Sequence, residues 1–204
     1  TIGVDGFRVP PVDALVGPGA HAGRHEQVDP RRIVLGAAVE ELGEAGYHGL
    51  TVRNVAKRAG VAPATAYTYF SSKEHLVAEV FWRRFQDQAV PAADRRRSIA
   101  NRATDVLLTF ALVVADETEL SAACTVALLA DDAEVRELRL RIGGEMHRRL
   151  VEAIGGEVAP EAITALEMAT TGVLLQVGTG HLGYDAVPGL LADVARIVTT
   201  GGAR

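Results

Sequence analysis

Residues 51–76 restrict the fold more than any other part of this chain, because they read as two short helices joined by a tight turn. Apolar residues recur at helical spacing from Val52 onwards. Gly60 follows where a helix can end in a left-handed turn, and Pro63 suits the first turn of the next helix. A helix over residues 63–70 would be about 12 Å long, short enough to lie in a DNA major groove. The pattern is that of a helix-turn-helix.

Helix-capping signals border this unit on both sides. Asp29 followed by Pro30 predicts the beginning of a preceding helix, because an N-cap acceptor stands before a proline at the first helical position. Ser71 and Glu74 have the spacing of a capping box, which predicts that another helix begins there. We expect that helix, over residues 72–89, to link the helix-turn-helix to the rest of the chain.

The second half of the chain predicts long helices. No segment alternates between apolar and polar residues over the length of a strand, and no sequence repeat is found. We therefore predict an all-α fold with a flexible extension (residues 1–28), a three-helix helix-turn-helix domain (29–76) and a C-terminal helical domain (77–204). The later predicted helices span residues 94–115, 118–130, 132–155, 160–181 and 187–200.

Composition narrows the class of protein. Hydrophobic residues make up 48% of the 204 residues, enough for a sizeable core, but no uncharged apolar run is long enough to span a bilayer. The chain opens without a basic-then-apolar leader, and its single cysteine, Cys124, cannot form an intramolecular disulfide. These features predict a cytoplasmic protein with no membrane partner.

Sequence motifs for catalysis and metal binding are missing as well. The chain contains no G-x-S-x-G, H-E-x-x-H or C-x-x-C and no phosphate-binding glycine loop. His21 and His25 lie four residues apart, but we expect no helix there to align them as metal ligands. We therefore expect no enzymatic activity, no cofactor and no metal site.

Charge is distributed unevenly along the chain, whose net charge is −5. Residues 24–85 hold nine Lys or Arg against seven Asp or Glu, whereas residues 86–204 hold eleven against seventeen. The helix-turn-helix segment is thus mildly basic on an otherwise acidic chain. This asymmetry would orient the segment towards a polyanion.

Residues 33–76 resemble the tetracycline-repressor (TetR) family of bacterial transcriptional regulators. The resemblance rests on residue types at a specific spacing, namely Gly46-Tyr47, Thr51, Val55-Ala56, Ala59-Gly60-Val61, Tyr67, Phe70, Lys73 and Leu76. The remainder of the chain agrees with the family in length and helicity. The resemblance implies a DNA-binding head, a helical effector domain and a homodimer formed largely by the last two long helices.

Residues of the two short helices are candidates for DNA contact. Thr65 and Thr68 lie three apart on one face of the second short helix, where their hydroxyl and methyl groups can meet base edges. Lys73 begins the next helix, whose positive dipole end also attracts phosphate. From these patterns and the family positions, the residues assigned to operator DNA are Thr51, Arg53, Ala62, Pro63, Thr65, Tyr67, Thr68, Tyr69 and Lys73.

Three features depart from the family pattern. Ala66 stands where the family has a larger aliphatic residue, and Glu41 occupies a usually apolar position of the first helix. The second short helix has no Arg or Lys, so it cannot make a bidentate guanine contact. Base discrimination would then rest on hydroxyl, methyl and water-mediated contacts, or on Arg53.

The second half of the chain offers candidates for an apolar ligand pocket and for a dimer interface. A mostly apolar cavity with a few polar groups is the usual chemistry of a small-molecule site, although the same residues can simply form a core. The predicted pocket residues are Trp82, Phe85, Leu107, Phe110, Cys124, Leu128, Met146, His147, Leu150, Met168, Thr171 and Leu175. The predicted interface residues are Leu166, Val173, Leu174, Val177, Leu190, Leu191, Val194 and Val198.

Together, these features predict a transcriptional regulator that responds to a ligand. We expect a homodimeric repressor that a small apolar or amphipathic molecule releases from a palindromic operator. The second short helix of each chain, which we call the reading helix, would lie about 34 Å or somewhat more from its counterpart. The alternative is a dimeric helical ligand-binding or interaction protein without DNA-binding activity. Alanine at Thr68 and Tyr69 separates these cases, because only a DNA-binding protein would lose DNA affinity while dimerisation persists.

Overall fold

A computed structural model describes residues 29–91 and 93–201, and this part of the chain forms nine α-helices with one short 3₁₀ turn at Tyr184–Ala186. The all-α prediction is confirmed. The helices are α1 Pro30–Gly49, α2 Val52–Arg58, α3 Pro63–Tyr69, α4 Lys73–Asp87, α5 Ile99–Ala111, α6 Thr118–Leu128, α7 Ala133–Ile154, α8 Pro160–Gly178 and α9 Val187–Gly201. The predicted extension over residues 1–28, with His21 and His25, lies outside the described residues.

The beginnings of three helices follow the expected capping chemistry. Asp29 Oδ1 accepts a hydrogen bond from the backbone N–H of Arg31 at 3.0 Å, and Pro30 is the first residue of α1. Thr51 accepts a backbone N–H at the beginning of α2, and Asp132 accepts two at the beginning of α7. Each cap satisfies donors that the first helical turn leaves unpaired and stabilises its helix by about 1 kcal/mol.

The beginning of α4 differs from the prediction by one residue. Ser72 rather than Ser71 is the N-cap, and its Oγ accepts the backbone N–H of His75 at 3.0 Å. Glu74 therefore lies one position too early for a capping box, and its carboxylate accepts a hydrogen bond from the Tyr47 hydroxyl at 2.9 Å. The capping-box prediction is wrong because the neighbouring serine caps the helix.

Gly46 interrupts α1. Its φ of 63° and ψ of 175° lie outside the helical region, and the chain then continues to Gly49 before it reaches α2. A residue with a Cβ atom would be strained at this positive φ. Gly46, one of the residues that carry the family resemblance, is thus a break in the helix, and a further short turn follows it.

The helices form one continuous apolar core. We call α1–α3 the head and α4–α9 the body. In the head, Phe70 and the entirely covered Ala66 pack with residues of α1 and α2. In the body, α4 packs against α6 and α7, α5 against α7 and α9, and α8 against α9, while α1 also contacts α6.

The body helices match the predicted ones, with shorter ends in all but α9, which ends one residue later than predicted. The beginning of α5 is set by Ser98, whose hydroxyl accepts the backbone N–H of Asn101. α8 approaches α6 closely at Gly178, where an added Cβ would overlap the side chain of Thr125. Across residues 29–91 and 93–201, no helix combines the length and the apolar character that crossing a membrane requires.

Candidate nucleic-acid interface

The turn between α2 and α3 sets the orientation of the second helix. Gly60 has a φ of 67°, a left-handed conformation that glycine adopts without strain. The backbone N–H of Val61 donates to the Ala56 carbonyl at 3.0 Å, and Pro63 then begins α3. Because Ala66 is buried against the head, the opposite face of α3 is turned to solvent.

The nine residues assigned to DNA all remain accessible. Thr51, Arg53, Ala62, Pro63, Tyr67 and Thr68 are exposed, and Thr65, Tyr69 and Lys73 are half-buried. Tyr67 is 51% exposed although its ring is largely apolar, and it is the most prominent side chain of the α3 surface. The geometry therefore leaves the outer face of α3 free to enter a groove.

The side-chain hydroxyl groups of two residues assigned to DNA already form hydrogen bonds within the chain. Thr68 Oγ1 donates to the Ala64 carbonyl one turn earlier at 2.9 Å. Thr51 Oγ1 accepts the N–H of Asn54 at 3.0 Å as the N-cap of α2. A threonine hydroxyl carries one proton, so Thr68 in this rotamer meets a base edge as an acceptor and through its methyl group.

Lys73 is held in place by Tyr47, a residue whose role was not predicted. The Lys73 ammonium donates to the Tyr47 carbonyl at 3.1 Å and lies 4.2 Å from the centroid of the Tyr47 ring. Partial burial and the hydrogen bond to Glu74 raise the pKa of the Tyr47 phenol well above its usual value, so the hydroxyl stays protonated. Since an ammonium has three donors, Lys73 keeps donors for a phosphate while joining α4 to the end of α1.

The unusual Glu41 has a structural explanation. Its carboxylate accepts a hydrogen bond from Arg58 Nε at 2.8 Å, and Arg58 also binds Glu44 on the same helix. The hydrogen bond and charge of Arg58 hold the pKa of the Glu44 carboxyl below its usual value. Arg58 thus joins α1 to α2, and Arg53 and Lys57 are the other two exposed cations of α2.

The predicted pocket residues fall into two groups. The buried or half-buried group is Trp82, Phe85, Leu107, Phe110, Cys124, Leu128, Met146 and Leu150. Within it, the Phe110 ring lies edge-on to Phe85 at 5.0 Å between centroids, a favourable aromatic arrangement. Burial raises the pKa of the Cys124 thiol to about 12, so Cys124 behaves as an inert apolar side chain.

The other four predicted pocket residues are exposed. His147 lies on the surface of α7, with Nδ1 2.9 Å from a Glu167 carboxylate oxygen. Met168, Thr171 and Leu175 lie on the outer face of α8, and the side chain of Met168 is 73% exposed. The structure therefore does not bring these four residues together with the buried group. Their outward direction follows from helical spacing, because they lie on the side of each helix opposite to the core.

The predicted interface residues also need correction. Leu166, Val173 and Leu191 are buried within this chain, and the half-buried residues are Leu174, Val177, Val194 and Val198. Only Leu190 of the predicted interface residues is exposed. The other large exposed apolar residues of α8 and α9 are Met168, Leu175 and Ile197, and we call these four residues the outer stripe. Each helix carries apolar residues on more than one face, so the sequence did not reveal which face was covered.

Comparison with a family model and comparison with individual sequences both identify bacterial transcriptional regulators. A family model described as bacterial regulatory proteins, tetR family, matches residues 34–80. An uncharacterised HTH-type transcriptional regulator of Mycobacterium tuberculosis is 48% identical over 172 residues, which cover 83% of this chain and 80% of that protein. The HTH-type transcriptional repressor KstR of Mycolicibacterium smegmatis is 38% identical over 64 residues, 31% of each chain.

Solved structures share the fold. A TetR transcriptional regulator from Rhodococcus sp. RHA1 has a TM-score of 0.71 at 24% identity, covering 85% of this chain and 97% of that chain. The regulator FadR from Bacillus subtilis, in complex with stearoyl-CoA, has a TM-score of 0.52 at 20% identity and covers 83% and 98%. At these identities the likeness establishes the arrangement of helices and nothing more.

Proposed function

This chain belongs to the tetR family of bacterial regulatory proteins and is a helix-turn-helix transcriptional regulator, and from that premise we propose that it is a homodimeric repressor of a palindromic operator. One observation carries the proposal. The outer face of α3 is exposed, whereas Ala66 on its inner face is completely buried against the head. The short match to the repressor KstR supports the sign of regulation. Such a protein acts on the chromosome in the cytoplasm and needs no catalytic residue.

In this proposal α3 enters the major groove of the DNA, and α2 binds the sugar-phosphate backbone of the DNA. Tyr67 and Thr68 face base edges and sugar-phosphate, while Arg53, Lys57 and Lys73 bind phosphates. Phosphate contacts set the register of the protein, whereas groove contacts discriminate sequence. The lack of Arg or Lys on α3 means that hydroxyl, methyl and water-mediated contacts carry the discrimination.

The outer stripe supports a dimer through α8 and α9. Met168 and Leu175 lie seven residues apart, two helical turns, and Leu190 and Ile197 repeat this spacing on α9. Contiguous exposed apolar side chains on neighbouring helices are typical of a protein interface. A dimer with its two-fold axis at this interface would present two heads to one operator.

A small molecule would act through α4, because α4 begins directly after the reading helix and continues into the aromatic core. FadR, a protein of the same fold, binds stearoyl-CoA. We assign an apolar or amphipathic effector to the interior beside Phe110 and Leu128, both half-buried. Its binding would displace α4 and change the spacing of the heads, provided that it prefers the conformation with low DNA affinity.

Selection from random-sequence duplex DNA tests the proposed function. Repeated binding rounds with the purified protein should enrich an inverted repeat with half-sites roughly one helical turn apart or somewhat more. The variant Tyr67→Ala/Thr68→Ala should enrich no motif, and the control Thr179→Ala at the exposed end of α8 should enrich the same repeat as the wild type. Failure of the wild type to enrich any repeat would favour the dimeric ligand-binding alternative.

A further inference from the structure

A cleft of about 360 Å³ lies on the surface between the head and the body. Its head wall comprises Arg31 of α1 and the end of α3 from Tyr67 to Tyr69, so the cleft adjoins the surface proposed to contact DNA. Its body walls are one face of α4 around Trp82 and one face of α7 around Arg141. The volume lies at the lower end of the range for small-molecule sites, roughly 300–1,000 Å³. The lining is mostly polar, unlike the apolar interior of the body.

Two guanidinium groups in this cleft have no anionic partner in residues 29–91 and 93–201. Arg31 lies over the Tyr69 ring at 5.4 Å from its centroid, and its Nε is buried without a hydrogen-bond acceptor. Arg141 lies over the Trp82 ring at 5.3 Å. By contrast, Arg83 in the same cleft binds Glu79 at 2.9 Å. The buried Arg31 Nε has lost its hydration without gaining an acceptor, which costs free energy that an oxyanion would recover. Arg141 is exposed, so it contributes charge and free hydrogen-bond donors at the mouth of the cleft.

The same cleft also contains acceptors without a cationic partner in the described part of the chain. Glu134 and Glu137 lie on the face of α7 that carries Arg141. Glu137 follows Glu134 by three residues and precedes Arg141 by four. These carboxylates would repel a polyanion such as a nucleic-acid backbone. They would accept hydrogen bonds from an ammonium or hydroxyl group.

We propose that this cleft is a binding site for a small polar molecule that carries both an oxyanion and an ammonium or hydroxyl group. The oxyanion binds Arg31 and Arg141, which line the head wall and a body wall of the cleft. The donor group binds Glu134 or Glu137. This site goes beyond the proposed operator-binding function and is separate from the apolar interior. Its occupant would contact the head and the body at once and so hold one relative to the other.

Intrinsic fluorescence tests binding directly, because Trp82 is the only tryptophan of the chain. Phosphoethanolamine carries both groups, inorganic phosphate only the oxyanion and ethanolamine only the ammonium. Phosphoethanolamine should change the emission saturably with a Kd of roughly 1 mM or lower. Phosphate should bind at least about tenfold more weakly, and ethanolamine should give no saturable change.

Matched variants of α7 locate the site. Arg141→Ala should abolish the response, whereas Arg136→Ala should not change it, because Arg136 pairs with Asp131 and does not line the cleft. Glu137→Gln should weaken phosphoethanolamine binding while leaving phosphate binding unchanged or stronger. Since Arg141→Ala also alters the surroundings of Trp82, calorimetric titration repeats each comparison without fluorescence.

Any of three results would overturn the proposal. One is the absence of saturable wild-type binding to phosphoethanolamine up to about 10 mM. The other is equal binding by Arg141→Ala and the wild type, or equal binding of phosphate and phosphoethanolamine, which would remove the assigned chemistry. No DNA is present in these titrations, so a failure of operator binding would leave their outcome unaffected.

Discussion

Two adjacent arginines on α7 illustrate how the position of a residue decides its role. Arg149 is almost completely buried, and its guanidinium donates to Glu145 at 2.7 Å and to the Phe85 carbonyl at the end of α4 at 3.1 Å. Arg148 is exposed and pairs with Glu145 and Glu152 on its own helix. The sequence shows only two consecutive arginines, so their separate roles could not be predicted from it.

Arg149→Ala should lower the free energy of unfolding by about 3 kcal/mol, because it removes one partner of a buried, hydrogen-bonded charge. It also removes one of the two donors to the Phe85 carbonyl, which keeps only the backbone N–H of Gln88. Arg148→Ala is the matched control and should cost clearly less, because Arg148 is exposed to solvent and its ion pairs are screened. Urea unfolding at one fixed protein concentration measures both, and equal losses would refute the distinction.

Glu145 makes part of the stability dependent on pH. Hydrogen bonds from Arg148 and Arg149 lower the pKa of its carboxyl to about 2 from a usual value of 4.5. Because the folded-state pKa is the lower one, the stabilisation is present above pH 4.5 and is lost as the pH falls towards 2. Glu145→Gln should therefore be less stable than the wild type at neutral pH, and the difference should vanish in acid. A difference in unfolding free energy that stays constant down to about pH 3 would contradict this cause.

At the scale of elements, α4 is bound to α7 at both ends. The hydroxyl of Ser72 donates to Asp132 Oδ2 at 2.8 Å, so the N-caps of the two helices are joined. At the other end, Arg149 of α7 binds carbonyls of Phe85 and Gln88. A movement of α4 along α7 must break one of these links. In the proposed mechanism, the pair α4 and α7 would therefore couple the body to the head.

Ser72→Ala should loosen the first turn of α4, because it removes both the N-cap and the link to Asp132. We expect a loss of about 1–2 kcal/mol and faster hydrogen exchange at the backbone amides of the first turn of α4. Ser98→Ala, which removes the N-cap of α5, is the matched control and should accelerate exchange in α5 alone. Unchanged exchange at the His75 amide in Ser72→Ala would show that the cap is not holding α4.

The head was the part of the fold that sequence predicted best, because its signals are local. Caps, the Gly60 turn and the apolar spacing of α2 all act within a few residues. Burial on α8 and α9 depends on distant packing, and the sequence did not tell the buried Leu166 from the exposed Met168 two residues later. The cleft was missed for the same reason, since only the tertiary structure brings Arg31 and Arg141 to the lining of one cleft.

At the scale of the whole molecule, the outer stripe should hold two chains together. Replacing Met168 and Ile197 with glutamate places charges on both helices of the stripe, so sedimentation should report a monomer where the wild type is a dimer. Both side chains are more than half exposed, hence the monomer should still fold, with an unchanged helical circular dichroism spectrum. Ile33→Glu, an exposed change on α1, is the control and should stay dimeric. A dimer that survives the double substitution would place the interface elsewhere.

The binding of an operator by the outer face of α3 is the central claim, and fluorescence anisotropy with a labelled inverted repeat tests it most directly. The wild type should bind at nanomolar concentrations, and Tyr67→Ala/Thr68→Ala should bind roughly 100-fold more weakly. Sedimentation of the same samples should give the same dimer for both proteins. Equal affinity of the two proteins, or no wild-type binding even at low salt, would contradict the account.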